Sequence, residues 1–252
     1  MLGSALLAAS LASNPAALAQ PHDTAQPAEP ATLIDAWLGW QQQRQAAEQP
    51  ALDWTYSFAL RHADANQLAS RRARLIAEID SLGPILRADG QQRLPDALVR
   101  WSRRLHDMPA LPARSAEPLG LLTLAGHLRQ NPPMRDIETL GTCRAPRWVE
   151  TWTLAGVQRR DWRPGMTVGS LLDRLPASAT GSLDTISVIT PRGATRTLGI
   201  TAWNRQDAPL APGARLAVRL PEHSQEAHII NRELAAFLAS RLPGDDCTLW
   251  PN

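Results

Sequence analysis

The chain is 252 residues long, with 26 Arg, no Lys and 24 acidic residues, for a formal net charge of +2. That balance supplies no field strong enough to drive phosphate or anionic-lipid binding, which argues against a nucleic-acid partner. A hydrophobic share of 44% is ordinary for a globular protein, and the length suits two small domains.

Leu2 to Leu11 is small and apolar, and Ala17-Leu18-Ala19 before Gln20 has the form of a signal-cleavage site. Residues 1–19 are therefore expected to be a secretory signal, although no Arg precedes Arg44 to supply the usual charged start. The Pro- and Gln-rich stretch 20–31 reads as a disordered mature N-terminus. No later segment holds about 18 uninterrupted apolar residues, so a soluble periplasmic protein is expected.

Thr32 to Trp40 opens a helix with Ile34, Trp37 and Leu38 on one face. Trp54 to Leu60 alternates, with Trp54, Tyr56, Phe58 and Leu60 on one side, and reads as a strand. Two helices follow, the first capped by Asp64 and stopped by Gly83-Pro84, the second starting at Pro95 with Leu98, Trp101 and Leu105 on one face. Together they form a helical hairpin whose outer faces carry Arg71, Arg72, Arg74, Arg100, Arg103 and Arg104, read as solvated. Leu121–Leu124 and Ile137–Leu140 are strand-like, and Arg144-Ala145-Pro146 marks a domain boundary.

Beyond it, Val149 to Val157 alternates as one strand, and Pro164-Gly165 makes a turn. Thr167 caps a helix carrying Val168, Leu171 and Leu172. The β-branched run Ile186–Thr190 is a strand, and Pro212-Gly213-Ala214 turns into a last alternating strand, Arg215–Pro221. His228 to Arg241 is an amphipathic helix with Ile230, Leu234, Phe237 and Leu238 on one face, stopped by Pro243-Gly244. Such a helix either covers its own chain or docks a partner.

This order of strand, Gly-x-Thr-Val-x-x-Leu-Leu helix, strand and Pro-Gly-Ala turn resembles the soluble-ligand-binding β-grasp domains of polysaccharide exporters. The whole chain resembles the GfcC family of capsule-biosynthesis proteins. The resemblance is carried by Gly156, Gly165 to Leu172, Trp203-Asn204, Pro212-Gly213-Ala214 and the trailing helix with Asn231. It is close over residues 145–245, and over 30–145 it is limited to the order of elements. It implies an α+β protein of two tandem β-grasp domains, 32–145 and 146–221. The first would hold the inserted hairpin (about 64–106), and a C-terminal amphipathic helix and tail would occupy 222–252. It also implies that Arg114 lies in a cleft as a ligand or partner contact, with Ala113 standing where the family usually has Gly.

No nucleophile elbow, phosphate loop, dinucleotide fingerprint or HExxH is present, and the six His are scattered. No catalytic residue, metal site or cofactor is therefore expected. Cys143 and Cys247 lack a nearby His pair for zinc and are candidates for a disulfide in an oxidising compartment. Of the nine Trp, Trp162 before the Pro-Gly turn is the best candidate for an exposed aromatic that stacks on a sugar. The expected function is that of a non-enzymatic periplasmic accessory protein for capsule or exopolysaccharide assembly or export. Its partners would be the polysaccharide or export proteins. A polysaccharide-modifying enzyme is the rival reading. A DNA-uptake receptor is the other, disfavoured because Ser81-Leu82-Gly83-Pro84 lacks the Gly-x-Gly of a DNA-binding hairpin.

Overall fold

The computed structural model describes residues 29–50, 53–109, 113–115 and 119–251. The expected signal (1–19) and most of the expected disordered stretch 20–31 lie outside them. In chain order the first elements are α1 (Leu33–Ala46), β1 (Ser57–Arg61), α2 (His62–Ala88), α3 (Arg93–His106), α4 (Leu121–Gly126) and β2 (Ile137–Cys143). There follow β3 (Trp148–Thr153), β4 (Gly156–Asp161), α5 (Val168–Leu172), β5 (Thr185–Ile189) and β6 (Thr195–Gly199). The last are β7 (Arg215–Val218), α6 (Gln225–Ser240) and β8 (Cys247–Pro251).

The strands form two sheets in a mixed α+β molecule. The smaller is antiparallel, β1-β2-β8, so the segment read from sequence as a tail supplies its third strand. Cys143 and Cys247 face each other in that register and are joined, with Cα atoms 3.9 Å apart. The larger sheet runs β4-β3-β7-β5-β6. In it β3 and β7 pair in parallel at the centre, and each is flanked by an antiparallel neighbour. The small sheet contains no parallel pair, so the two sheets are not copies of one another in strand order.

α1 starts where its chemistry dictates: Thr32 and Asp35 bond each other's backbone N–H in a capping box. Its Leu33 and Trp37 join Leu119, Leu121, Leu124, Ile137 and Leu140 in the core under the small sheet. The strand expected over Trp54–Leu60 begins only at Ser57, because Asp53 caps a single tight turn at Trp54–Tyr56.

Three sequence expectations fail for identifiable reasons. α2 begins at His62, directly after β1, and runs through Gly83-Pro84 to Ala88. A proline inside a helix costs about 3 kcal/mol. Leu82, buried, and Leu86, partly buried, pack on the large core from either side of it, and full burial of one Leu stabilises by roughly 1.5–3 kcal/mol. The helix stops instead at Asp89-Gly90, where Gly90 adopts φ +79°. Leu121–Leu124 is helical rather than strand-like, since Leu121 and Leu124, at i and i+3, are both buried while Leu122 is half exposed. The single strand expected from Val149 to Val157 is a hairpin, β3-β4, reversing at Leu154-Ala155 before Gly156 at φ +109°.

The helical hairpin packs mainly on the larger sheet. Leu75, Ile79 and Leu82 of α2 and Leu98, Trp101 and Leu105 of α3 share one core with Val149, Trp152, Ile186 and Leu216. The Trp101 indole donates to Thr153 O at 3.0 Å, and Arg100 donates to Leu154 O at 2.6 Å. The hairpin's arginines are therefore only partly solvated, since Arg72 also caps the carbonyls of His106 and Met108. α6 covers its own chain: Ile230, Leu234 and Leu238 are buried in the same core. Asn231 pins α6 to the end of β7, accepting from Leu220 N at 2.7 Å and donating to Leu220 O at 2.9 Å. No helix among the described residues is long and apolar enough to cross a membrane.

Candidate functional site

β3 is buried from Val149 to Thr153, and Glu150 within it is fully inaccessible. A lone buried carboxylate would be untenable, so the fold surrounds it with donors. Its oxygens take the Trp152 indole N–H at 2.9 Å and Arg159 Nε at 3.3 Å. Arg241 Nη1 stands 3.6 Å away and Arg215 Nε 3.9 Å away. Burial alone would push this carboxyl up; Arg215, Arg241, the Trp152 N–H and Arg159 together hold it below the ordinary carboxylate range.

Arg215 is as buried as its partner. Its guanidinium donates to Leu238 O and to Leu242 O (2.7 Å), satisfying carbonyls at the end of α6. Burial and the neighbouring Arg241 bring its pKa down to about 9, so it stays cationic at neutral pH. Arg159 extends the network outward, binding Asp245 in a fork at 2.6 and 3.0 Å. Its guanidinium lies 4.1 Å from the Trp148 ring centroid, and the Trp148 N–H also reaches Asp245, at 2.8 Å. The network thus ties β3, β4, β7, the end of α6 and the following segment into one body.

Arg114 belongs to the same region and is only 4% exposed. Its backbone N–H bonds Ser240 O at 2.8 Å, its Nε donates to Ala239 O at 2.6 Å, and its Nη1 donates to Pro191 O. Nη2 is buried without a partner. Burial lowers the guanidinium's pKa to about 10. The cavity that Arg114 lines with Trp54, Ser57, Phe58, Leu119 and Arg192 holds about 20 Å³, room for a water and not for a sugar ring. Arg114 is thus a staple between the segment before α4 and the end of α6. A wider cleft of about 560 Å³ lies between α2, the end of α6 and β8, bordered by Arg72, Glu138, Phe237, Arg241, Asp245 and Leu249.

The aromatic expectation also needs correction. Trp162 is only partly exposed, packs on the large core and gives its N–H to Leu210 O at 2.6 Å, because the turn after β4 folds it back. Trp37, Trp40, Trp54 and Trp250 cluster together, and Trp101 meets Trp152 edge-on. Trp203 alone among the nine has neither a ring partner nor a bonded N–H among the described residues, and it is 78% exposed. The turn that carries it is fixed: the Asn204 carboxamide accepts from Thr201 N and Oγ1 and donates to Asp184 O. The sequence signal for Trp203 was its setting, Ala202-Trp203-Asn204-Arg205, with no apolar neighbour of any size. Among the described residues no three His, Cys, Asp or Glu side chains converge as a metal-ligand set.

Fold and site define a mixed α+β protein built around a buried arginine–carboxylate network. Residues 157–243 match the family model for the capsule biosynthesis GfcC C-terminal domain. This part of the chain, from β4 to the end of α6, is thus similar to the C-terminal domain of GfcC capsule-biosynthesis proteins.

Proposed function

We propose that this protein is a non-enzymatic periplasmic accessory factor in capsule or exopolysaccharide assembly or export, acting by binding the polysaccharide. The observation that carries this reading is the capsule-biosynthesis family match over residues 157–243. The order β4-β3-β7-β5-β6 with a parallel central pair and a helix after the first hairpin supports a β-grasp fold for the larger sheet. The cross-linked Cys143 and Cys247 favour an oxidising compartment. Trp203 is the contact residue of choice. A rigid turn that holds one indole in water has already met the ordering cost of a stacking contact, and an indole offers a flat apolar face plus one donor.

Deleting the gene should reduce or alter surface polysaccharide. Complementation with Trp203→Ala should restore it only in part, at wild-type protein level and unchanged melting temperature. Full restoration by Trp203→Ala would remove Trp203 from the reading. Measurable depolymerisation of the polysaccharide by the purified protein would overturn the non-enzymatic assignment.

A further inference from the structure

Most of the arginines with described surroundings are committed. Arg71 pairs with Glu233, Arg205 with Asp173, Arg219 with Glu222, and Arg159, Arg215 and Arg241 gather about Glu150. Several are not, and two of these, Arg163 and Arg174, border one groove. Between the end of β4 and α5 lies a groove of about 390 Å³ bordered by Arg160, Asp161, Arg163, Met166, Leu171 and Arg174. The Arg163 and Arg174 side chains make no hydrogen bond or ion pair with any described residue. Arg160 reaches only Gln158 Oε1, at 2.8 Å, and its Nε is buried without a partner.

Three Arg against one Asp give the groove a local charge of +2, equal to that of the entire chain (26 basic minus 24 acidic). Among the residues that border the groove, only Asp161 offsets the three guanidiniums. Their base is not polar: Met166 and Leu171 belong to the buried core. A bare inorganic anion would gain nothing from that apolar base. A nucleic acid would need a longer basic track with stacking aromatics, which the groove does not have. The combination of planar fork donors over carbon-rich side chains fits a ligand that has a carboxylate on a compact ring.

We propose that the groove between β4 and α5 binds an acidic sugar residue of the polysaccharide. Arg163 and Arg174 take its carboxylate, Arg160 donates to a ring substituent, and Met166 and Leu171 lie beneath the ring. The proposal rests on the polysaccharide-binding reading above and names the sugar class that this reading leaves open.

The test is calorimetric or NMR titration of the full mature protein with trigalacturonate, with neutral maltotriose and with tri-aspartate as probes. Trigalacturonate should bind at least tenfold tighter than maltotriose, weaken as salt rises, and lose at least tenfold in affinity in Arg163→Gln/Arg174→Gln. Both positions are exposed, so the double variant should keep the wild-type melting temperature. Equal binding of the acidic and neutral sugars, unaffected by the double variant, overturns the groove while leaving the polysaccharide reading intact. Binding of neither sugar by the wild type overturns both. Equal binding of tri-aspartate, lost in the same variant, overturns the sugar assignment by showing that the groove reads charge alone.

Discussion

Replacing Arg114 by Ala should lower thermal stability substantially, although a surface contact residue at this position would be removed at little cost. The side chain donates to Ala239 O and Pro191 O, two carbonyls buried with it. Hydrogen bonds from a charged donor contribute roughly 1.5–3 kcal/mol each, so about 3–6 kcal/mol is lost in gross terms. Two effects offset this loss. The variant no longer buries a cation, and it relieves the repulsion between Arg114 and the buried Arg215. A net destabilisation of about 2–3 kcal/mol remains, which for a chain of this size is a fall in Tm of roughly 4–12 °C. Differential scanning calorimetry of wild type, Arg114→Ala and Arg114→Lys measures it. Lys keeps the charge and supplies one of the two bonds, so it should fall between the others. A drop below about 2 °C for Arg114→Ala, together with loss of surface polysaccharide, would refute the staple and return Arg114 to the contact role that the family resemblance implies.

Two further outcomes follow from the same architecture. The Cys143→Ser/Cys247→Ser double variant opens a bridge spanning 104 residues, and its Tm should fall by roughly 5–15 °C, with reductant moving the wild type toward it and leaving the variant unchanged. Glu150 is held below the ordinary carboxylate range, so its contribution is fully present above the unfolded value of about 4.3 and is lost as pH falls through the lower folded value. Wild-type stability should therefore drop steeply below about pH 4.3, whereas Glu150→Gln should be less stable at pH 7 and show a shallower acid slope. Parallel stability–pH curves for the two proteins would contradict the network's role.

The features legible in the sequence were those set by local chemistry. The Thr32 and Thr167 caps, the Pro212-Gly213 turn and the apolar face of α6 each depend on residues within a turn or two of one another. Gly213, at φ +80°, shows why such signals succeed, because an added Cβ would also lie 2.6 Å from Pro243 O. The features not legible in the sequence depend on partners far along the chain. Pro84 reads as a stop until Leu82 and Leu86 acquire a core supplied by another unit. Arg114 and Trp162 each looked like a surface contact, yet the carbonyls that absorb them come from Ala239, Pro191 and Leu210. Glu150 and Arg215 gave one usable hint: charged residues inside two alternating strands flanked by Val149, Trp152, Leu216 and Val218. In a strand buried on both faces, a charge must bring its counter-charge with it.

β8 also sets the order in which the molecule can be completed. It pairs with β2, whose own partner β1 is formed from residues made nearly 200 positions earlier. During vectorial synthesis the N-terminal half therefore waits with β2 as an open edge, while every residue of the larger sheet emerges and folds in between. Only the arrival of Cys247 to Pro251 seals that edge, and the cross-link then makes the closure permanent. The small sheet, and not the larger one, thus depends on the last strand for its completion.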